Sequence, residues 1–281
     1  MPREIKVEIV EETVRSLCLD ANVNLGGDII GALQEWLGRE RSPAGRSILN
    51  ALLENALLAA EERMPVCQDT GMVTVFMETG QDVWFTGGNL AEAVDRGVRR
   101  AYREGFFRAS VVADPLRREN TGDNTPALIY NTIVPGDRVK ITVAPKGFGS
   151  ENTGGVRMFT PAAGLEGVKE FILDTVEKAG ASPCPPVIVG VGVGGTMDYA
   201  ALLAKKALLV PVGIYNAQPE IAAIEKELWE KINRTGIGPQ GLGGSCTALA
   251  VHILTGPTHI AGLPAAVNIG CHATRHKEKV I

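Results

Sequence analysis

The chain has 281 residues, of which 45% are hydrophobic and 21% charged, with a formal net charge of −4. This composition fits a globular protein with one large domain or two modest ones, and it lacks the basic excess of a nucleic-acid binder. The first residues, MPREIKVEIVEETV, alternate charged and apolar character instead of forming a signal peptide, and no run approaches the roughly 18 uninterrupted apolar residues of a membrane span.

The expected location is the cytoplasm, where five cysteines (Cys18, Cys67, Cys184, Cys246 and Cys271) read as thiols or ligands rather than disulfides. Taken in chain order, the N-terminal region to about residue 63 is helical. NVNLGGDIIGALQEWLGRE carries apolar residues at helical spacing. SPAGRSILNALLENALLAAEERM follows, with Ser42 as N-cap and Pro43 in the first turn. MVTVFMETG reads as a strand and NLAEAVDRGVRRAYREG as a helix capped by Asn89. TPALIYNTIVPG and DRVKITVAPKG are β-type runs whose Pro-Gly-Asp junction predicts a hairpin. PAAGLEGVKEFILDTVEKAG, TMDYAALLAKKALL and QPEIAAIEKELWEKINRTG are further helices, PPVIVGVG is a strand, and the tail holds two apolar runs, SCTALAVHIL and LPAAVNIGC. The pattern predicts an α+β fold: a mixed, largely antiparallel sheet packed with helices, in a single large domain over 1–281. The segment Thr79–Asn89 is the one candidate boundary.

MPVCQDTG (Met64–Gly71) sets a thiol, an amide, a carboxylate and a hydroxyl side by side, and alone it leaves Cys67 as packed thiol, nucleophile or ligand. A nucleophile needs a histidine partner, and all four histidines lie after residue 250. Gly190, Gly192 and Gly195 form G-x-G-x-x-G between a strand and a helix. The acidic residue expected ~20 positions on is missing, so a tight turn or an amide-lined anion loop competes with dinucleotide binding. Cys184 precedes two prolines at a rigid corner, where a ligand is better placed than in mid-helix. RENTGDNTPA and APKGFGSENTGG are polar loops, ordinary turns or ligand contacts. Lys146 and Gly147–Gly149 are suited to a carboxylate but lack a P-loop ending. IGCHATRH reads as a solvated tail or as a further ligand, Cys271, and the spacing of His272 and His276 admits zinc. Cys18 and Cys246 lie in apolar contexts and read as buried thiols.

Taken together, PVCQDTGM, NTGDNTPA, PKGFGSENTG, CPPVIVGVGVGGT, LGGSCTALAV and AVNIGCHATRH resemble the α-subunit, or N-terminal domain, of the iron–sulfur hydro-lyases, the class I fumarases and L-tartrate dehydratases. The motifs stand in the family's order from about Met64 to His276. The resemblance implies a [4Fe–4S] cluster on Cys67, Cys184 and Cys271, with Cys246 outside the ligand set. Three thiolates leave one iron with an open position that can act as a Lewis acid on a substrate hydroxyl. The resemblance further implies catalytic roles for Gln68 and Asp69, which follow a ligand directly. It implies a substrate carboxylate on Arg108, whose guanidinium suits a bidentate pair, and a substrate contact at Gly149. It implies reversible hydration of fumarate to L-malate, as in the tricarboxylic acid cycle, with conversion of tartrate to oxaloacetate as the alternative. A non-catalytic docking module is a distant one. It also implies a β-subunit that completes the active site and an α2β2 assembly; charge and the lack of an apolar span lead to the expectation of no nucleic-acid or membrane partner.

Overall fold

The computed structural model describes residues 2–281. The first third contains β1 (Arg3–Lys6), α1 (Val7–Val23), α2 (Gly27–Arg39), α3 (Pro43–Glu62), β2 (Met72–Gly80), β3 (Val83–Thr86) and α4 (Leu90–Glu104). Then come β4 (Leu128–Val134), β5 (Val139–Lys146), the single turn α5 (Phe148–Glu151), β6 (Gly155–Phe159), α6 (Gly164–Ala179) and β7 (Val187–Gly195). The chain closes with α7 (Met197–Ala207), α8 (Pro219–Asn233), β8 (Ala248–Thr258), β9 (Leu263–Gly270) and β10 (Lys277–Val280). The caps behave as the sequence predicts: the Gly45 N–H donates to Ser42 Oγ (3.2 Å) and the Glu92 N–H to Asn89 Oδ1 (3.1 Å). No helix among the described residues is long and apolar enough to cross a membrane.

The α+β class holds, but the strands divide between two four-stranded sheets and a two-stranded parallel one, β1-β3, rather than forming one sheet, and the chain forms two compact units. The first comprises Met1–Leu25, Ala56–Phe148 and Arg275–Ile281; the second comprises Gly26–Asn55 and Gly149–Thr274. Thr79–Asn89 lies inside the first unit and is no boundary.

In the first unit the strand order is β10-β5-β2-β4, with β2 parallel to β4 and antiparallel to β5. The predicted hairpin of β4 and β5 does not form, because β2 lies between them. The reason is burial. Val73, Val75 and Met77 give β2 an apolar face with almost no exposure, so it takes the centre. The chain just after β2 also occupies the Pro-Gly turn, with the Gln81 N–H donating to Val134 O and the Asp82 N–H to Gly136 O. Val10, Val14, Leu17 and Cys18 on α1 and Val94, Val98 and Ala101 on α4 cover this face at helical spacing.

In the second unit the order is β6-β9-β7-β8, with β7 parallel to β8 and antiparallel to β9. Val187, Val189 and Val191 of β7 enter a core with Ile172 and Val176 of α6 and Leu228 and Ile232 of α8. The alternate residues, Gly190 and Gly192, meet α7. A Cβ on Gly192 would stand 2.1 Å from Ala200 O, and one on Gly190 2.3 Å from Ala204 O. These two glycines of the G-x-G-x-x-G pattern therefore serve helix-on-strand packing.

Candidate active site

In the first unit α3 ends at Glu62, and the chain turns at Arg63, in the left-handed region with φ 54°, into Met64–Gly71. This loop is held from several sides. The Val66 N–H donates to Asn22 O (2.9 Å), and Arg275 Nη2 donates to Asp69 O (2.7 Å). The hydroxyl of buried Tyr102 faces the carbonyls of Thr70 and Gly71, and Asn124 Nδ2 also donates to Gly71 O (3.0 Å). Burial pushes the Tyr102 phenol far above its ordinary range, so it stays a donor. Gly71, with φ +76°, passes so close to Lys146 that a Cβ would lie 2.5 Å from its carbonyl carbon.

The clamps leave Cys67 half-buried and Gln68 exposed. The Cys67 thiol lies 3.5 Å from Gln68 Oε1, within reach to donate to it. Asp69 is braced at both oxygens: the Gly71 N–H donates to Oδ1 (3.0 Å) and the Phe148 N–H to Oδ2 (2.9 Å). Gly147 permits this approach, because a Cβ there would meet Oδ2 at 2.9 Å. The carboxylate thus ties the Cys67 loop to the glycine turn after β5. Arg108 is exposed, and its carbonyl accepts from Thr70 Oγ1 (2.8 Å), which fixes its backbone to the same loop.

In the second unit Cys184 is exposed and sits at φ 53°, a left-handed conformation unusual for a residue with a Cβ and concentrated at functional sites. The Cys184 N–H donates to Ala181 O (3.0 Å), and Gln240 donates twice to Pro185 O, from its backbone N–H (2.8 Å) and from Nε2 (2.9 Å). Cys271 follows β9 directly, and its carbonyl accepts from the N–H (3.0 Å) and Oγ1 (2.7 Å) of Thr274. His272 joins the two cysteine turns: its Nδ1 lies 3.0 Å from Cys184 O and its N–H 3.4 Å from the same atom. Gly149 is exposed, with nothing nearer than 3.7 Å to the place of a Cβ.

The remaining thiols are core residues. Cys18 and Cys246 have no exposure, and burial pushes both far above the ordinary thiol range. The LGGSC stretch that carries Cys246 is anchored by a carboxylate that sequence reasoning missed. Glu40, 3% exposed, accepts at Oε1 from the Arg41 and Ser42 N–H groups (2.9 Å each) and at Oε2 from those of Ser245 (2.7 Å) and Cys246 (3.0 Å). Burial pushes Glu40 upward, but the four donors outweigh it and hold the carboxyl below its ordinary value.

Residues 11–280 match the fumarate hydratase (Fumerase) family. The chain belongs to that family. Within it, the chain is 41% identical over 278 residues to the "Putative L(+)-tartrate dehydratase subunit alpha" of Methanocaldococcus jannaschii, covering 97% of each chain. It is 31% identical over 272 residues to the L(+)-tartrate dehydratase subunit alpha of Escherichia coli K12, covering 96% of this chain and 89% of that one. The subunit of the same name from Shigella sonnei matches to the same extent. This is a hydro-lyase family, and these relatives carry the name of an α subunit.

Such hydro-lyases depend on an iron–sulfur cofactor, and Cys thiolates are the usual ligands of such clusters. Of five thiols, two are sealed in the interior, and three stand on turns, Cys67 and Cys271 half-buried and Cys184 exposed. Among the described residues no three His, Cys, Asp or Glu side chains converge on a single metal ion. Asn22, Tyr102 and Gln240 carry no sequence signature of their own. Asn124 lies in the NTGDNTPA motif and Arg275 at the end of AVNIGCHATRH.

Proposed function

We propose that this chain is the α-type half of a [4Fe–4S] hydro-lyase that reversibly hydrates fumarate to L-malate. The observation that carries the reading is the separation of the cysteines. Cys67, Cys184 and Cys271 stand on held turns inside family motifs, half-buried or exposed, while Cys18 and Cys246 are core residues. These three would hold the cluster, which when bound supplies an open-site iron as a Lewis acid for the substrate hydroxyl.

The chain's own residues then divide the remaining work. The exposed guanidinium of Arg108 binds one substrate carboxylate through paired N–H donors. The exposed turn at Gly149 offers a backbone contact to the substrate. Gln68 presents its amide beside Cys67 and orients the substrate. Asp69, braced at both oxygens by backbone N–H groups, keeps lone pairs that can accept a proton or orient the group that does. Residues 1–281 act as one catalytic module. It works in the cytoplasm with a β-subunit that completes the site, in an α2β2 assembly serving the tricarboxylic acid cycle.

A second reading, dehydration of L-tartrate to oxaloacetate, is favoured by the names of the relatives above. The test is anaerobic co-purification with the β-subunit, followed by iron and sulfide analysis and kinetics on malate and on tartrate. The fumarase reading expects a coloured enzyme with the higher kcat/KM on malate. A preference for tartrate replaces it with the second reading. A pair that stays colourless after reconstitution with iron and sulfide overturns both.

A further inference from the structure

Arginine is among the side chains least often buried, and Arg275 is only 5% exposed. Its guanidinium spans two acceptors within the first unit. Nη2 donates to Asp69 O (2.7 Å) and Nε to Asn22 Oδ1 (3.2 Å). Asn22, itself with no exposure, donates from Nδ2 to Cys18 O (3.0 Å), and its own carbonyl accepts from the Val66 N–H (2.9 Å). The backbone is therefore gripped on each side of Cys67–Gln68, at Val66 and at Asp69, by one arginine–asparagine pair.

We propose that Arg275 is a positioning residue: its buried guanidinium, acting with Asn22, sets the backbone of the Cys67–Gln68–Asp69 turn. The proposal deepens the reading of Cys67 as a cluster ligand and rests on it for its functional meaning. The chemistry suits the task. A charged donor bonds a carbonyl more strongly than a neutral one does, and the planar fork of arginine holds two acceptors at a fixed spacing, which a lysine ammonium does not. Arg275 also follows Cys271 by four positions. One short segment of sequence thus supplies both a candidate ligand and the clamp on the turn of another.

The test uses the full chain without cluster, so that it does not depend on activity. Hydrogen exchange of the segment 64–71 and the rate of Cys67 alkylation by iodoacetamide are compared in wild type, Arg275→Met and Arg275→Lys. Arg275→Met is expected to speed both by about tenfold or more, the scale of one lost charged hydrogen bond. Exchange in α4 and β2, and alkylation of Cys184, stay at wild-type rates. Arg275→Lys, which keeps the charge without the fork, falls between. Unchanged exchange at 64–71 in Arg275→Met overturns the proposal, and so does a uniform rise through α4 and β2, which marks general loss of stability. If Arg275→Met fails to fold, Arg275→Lys decides, and wild-type behaviour there overturns the proposal. Iron and sulfide content of the reconstituted wild type tests the cluster reading separately, so failure of one is distinguishable from failure of the other.

Discussion

The two units hold their cysteine turns by different means. In the first, the turn around Cys67 is gripped by side chains from distant parts of the sequence: Asn124 on Gly71, Tyr102 on Thr70 and Gly71, and Arg275 on Asp69. In the second, Cys184 is fixed mainly by its own backbone. It takes a left-handed conformation, two prolines follow it, and Gln240 and His272 brace the adjacent carbonyls. The first arrangement is polar and long-range, and it weakens as its side-chain donors are removed. The second is largely conformational, and its weak points are the steric fits around it.

Removal of a thiol damages either region most. Cys67→Ser, Cys184→Ser and Cys271→Ser are each expected to abolish activity and the cluster's visible absorption in the reconstituted pair, while Cys246→Ala retains both. Retention of full iron content in any of the three serine variants would refute the ligand set. Next in size is Gly192→Ala. Its new methyl would meet the backbone of α7, so the second unit should lose roughly 3 kcal/mol or more, beyond ordinary overpacking because backbone cannot move aside. Urea denaturation measures it, and a loss below roughly 1 kcal/mol would show that α7 shifts freely.

Glu40→Gln sharpens the account of the second unit. It removes a charge that serves four backbone donors, at an expected cost of about 2 kcal/mol. Because the folded Glu40 carboxyl is held below its ordinary value, its contribution is complete above the unfolded carboxylate range. It fades as pH falls through the lowered folded value. The wild type should therefore lose stability faster than Glu40→Gln on acidification below about pH 4.5, and parallel curves would contradict this. Smallest is Tyr102→Phe, which removes one hydroxyl from the Thr70 and Gly71 carbonyls while Asn124 still serves Gly71. About 1 kcal/mol of stability should go, with exchange rising locally at 64–71, and an effect confined to β4 would argue against the clamp.

How far the sequence is legible depends on the range of the interaction. The Ser42 and Asn89 caps are readable because donor and acceptor lie three residues apart. Residues 125–146 are readable as two strands, β4 and β5, but their Pro-Gly turn misleads about pairing, because the central place of β2 is a property of the whole sheet. Gly190 and Gly192 stand out as a loop signal, while their purpose lies in the approach of α7. For the candidate site, Cys67, Gln68, Asp69, Arg108, Gly149, Cys184 and Cys271 come from motif resemblance. Glu40 and Asn22 do not, and Arg275 lies in a motif that does not show its task, since each acts on groups as much as two hundred positions away or more.

Read alone, the sequence carries the helices, the apolar strand runs, the α+β class and the reading of Cys18 and Cys246 as buried thiols. Each of these follows from local periodicity, capping chemistry or composition. Packing alone decides that β2 separates β4 from β5, that the strands form two four-stranded sheets and a two-stranded one, and that Asp69 is braced by the turn after β5. It alone decides that a buried arginine grips the Cys67 turn. These outcomes depend on which buried polar group finds which distant partner, and the desolvation cost that enforces such pairing arises only once the chain has packed.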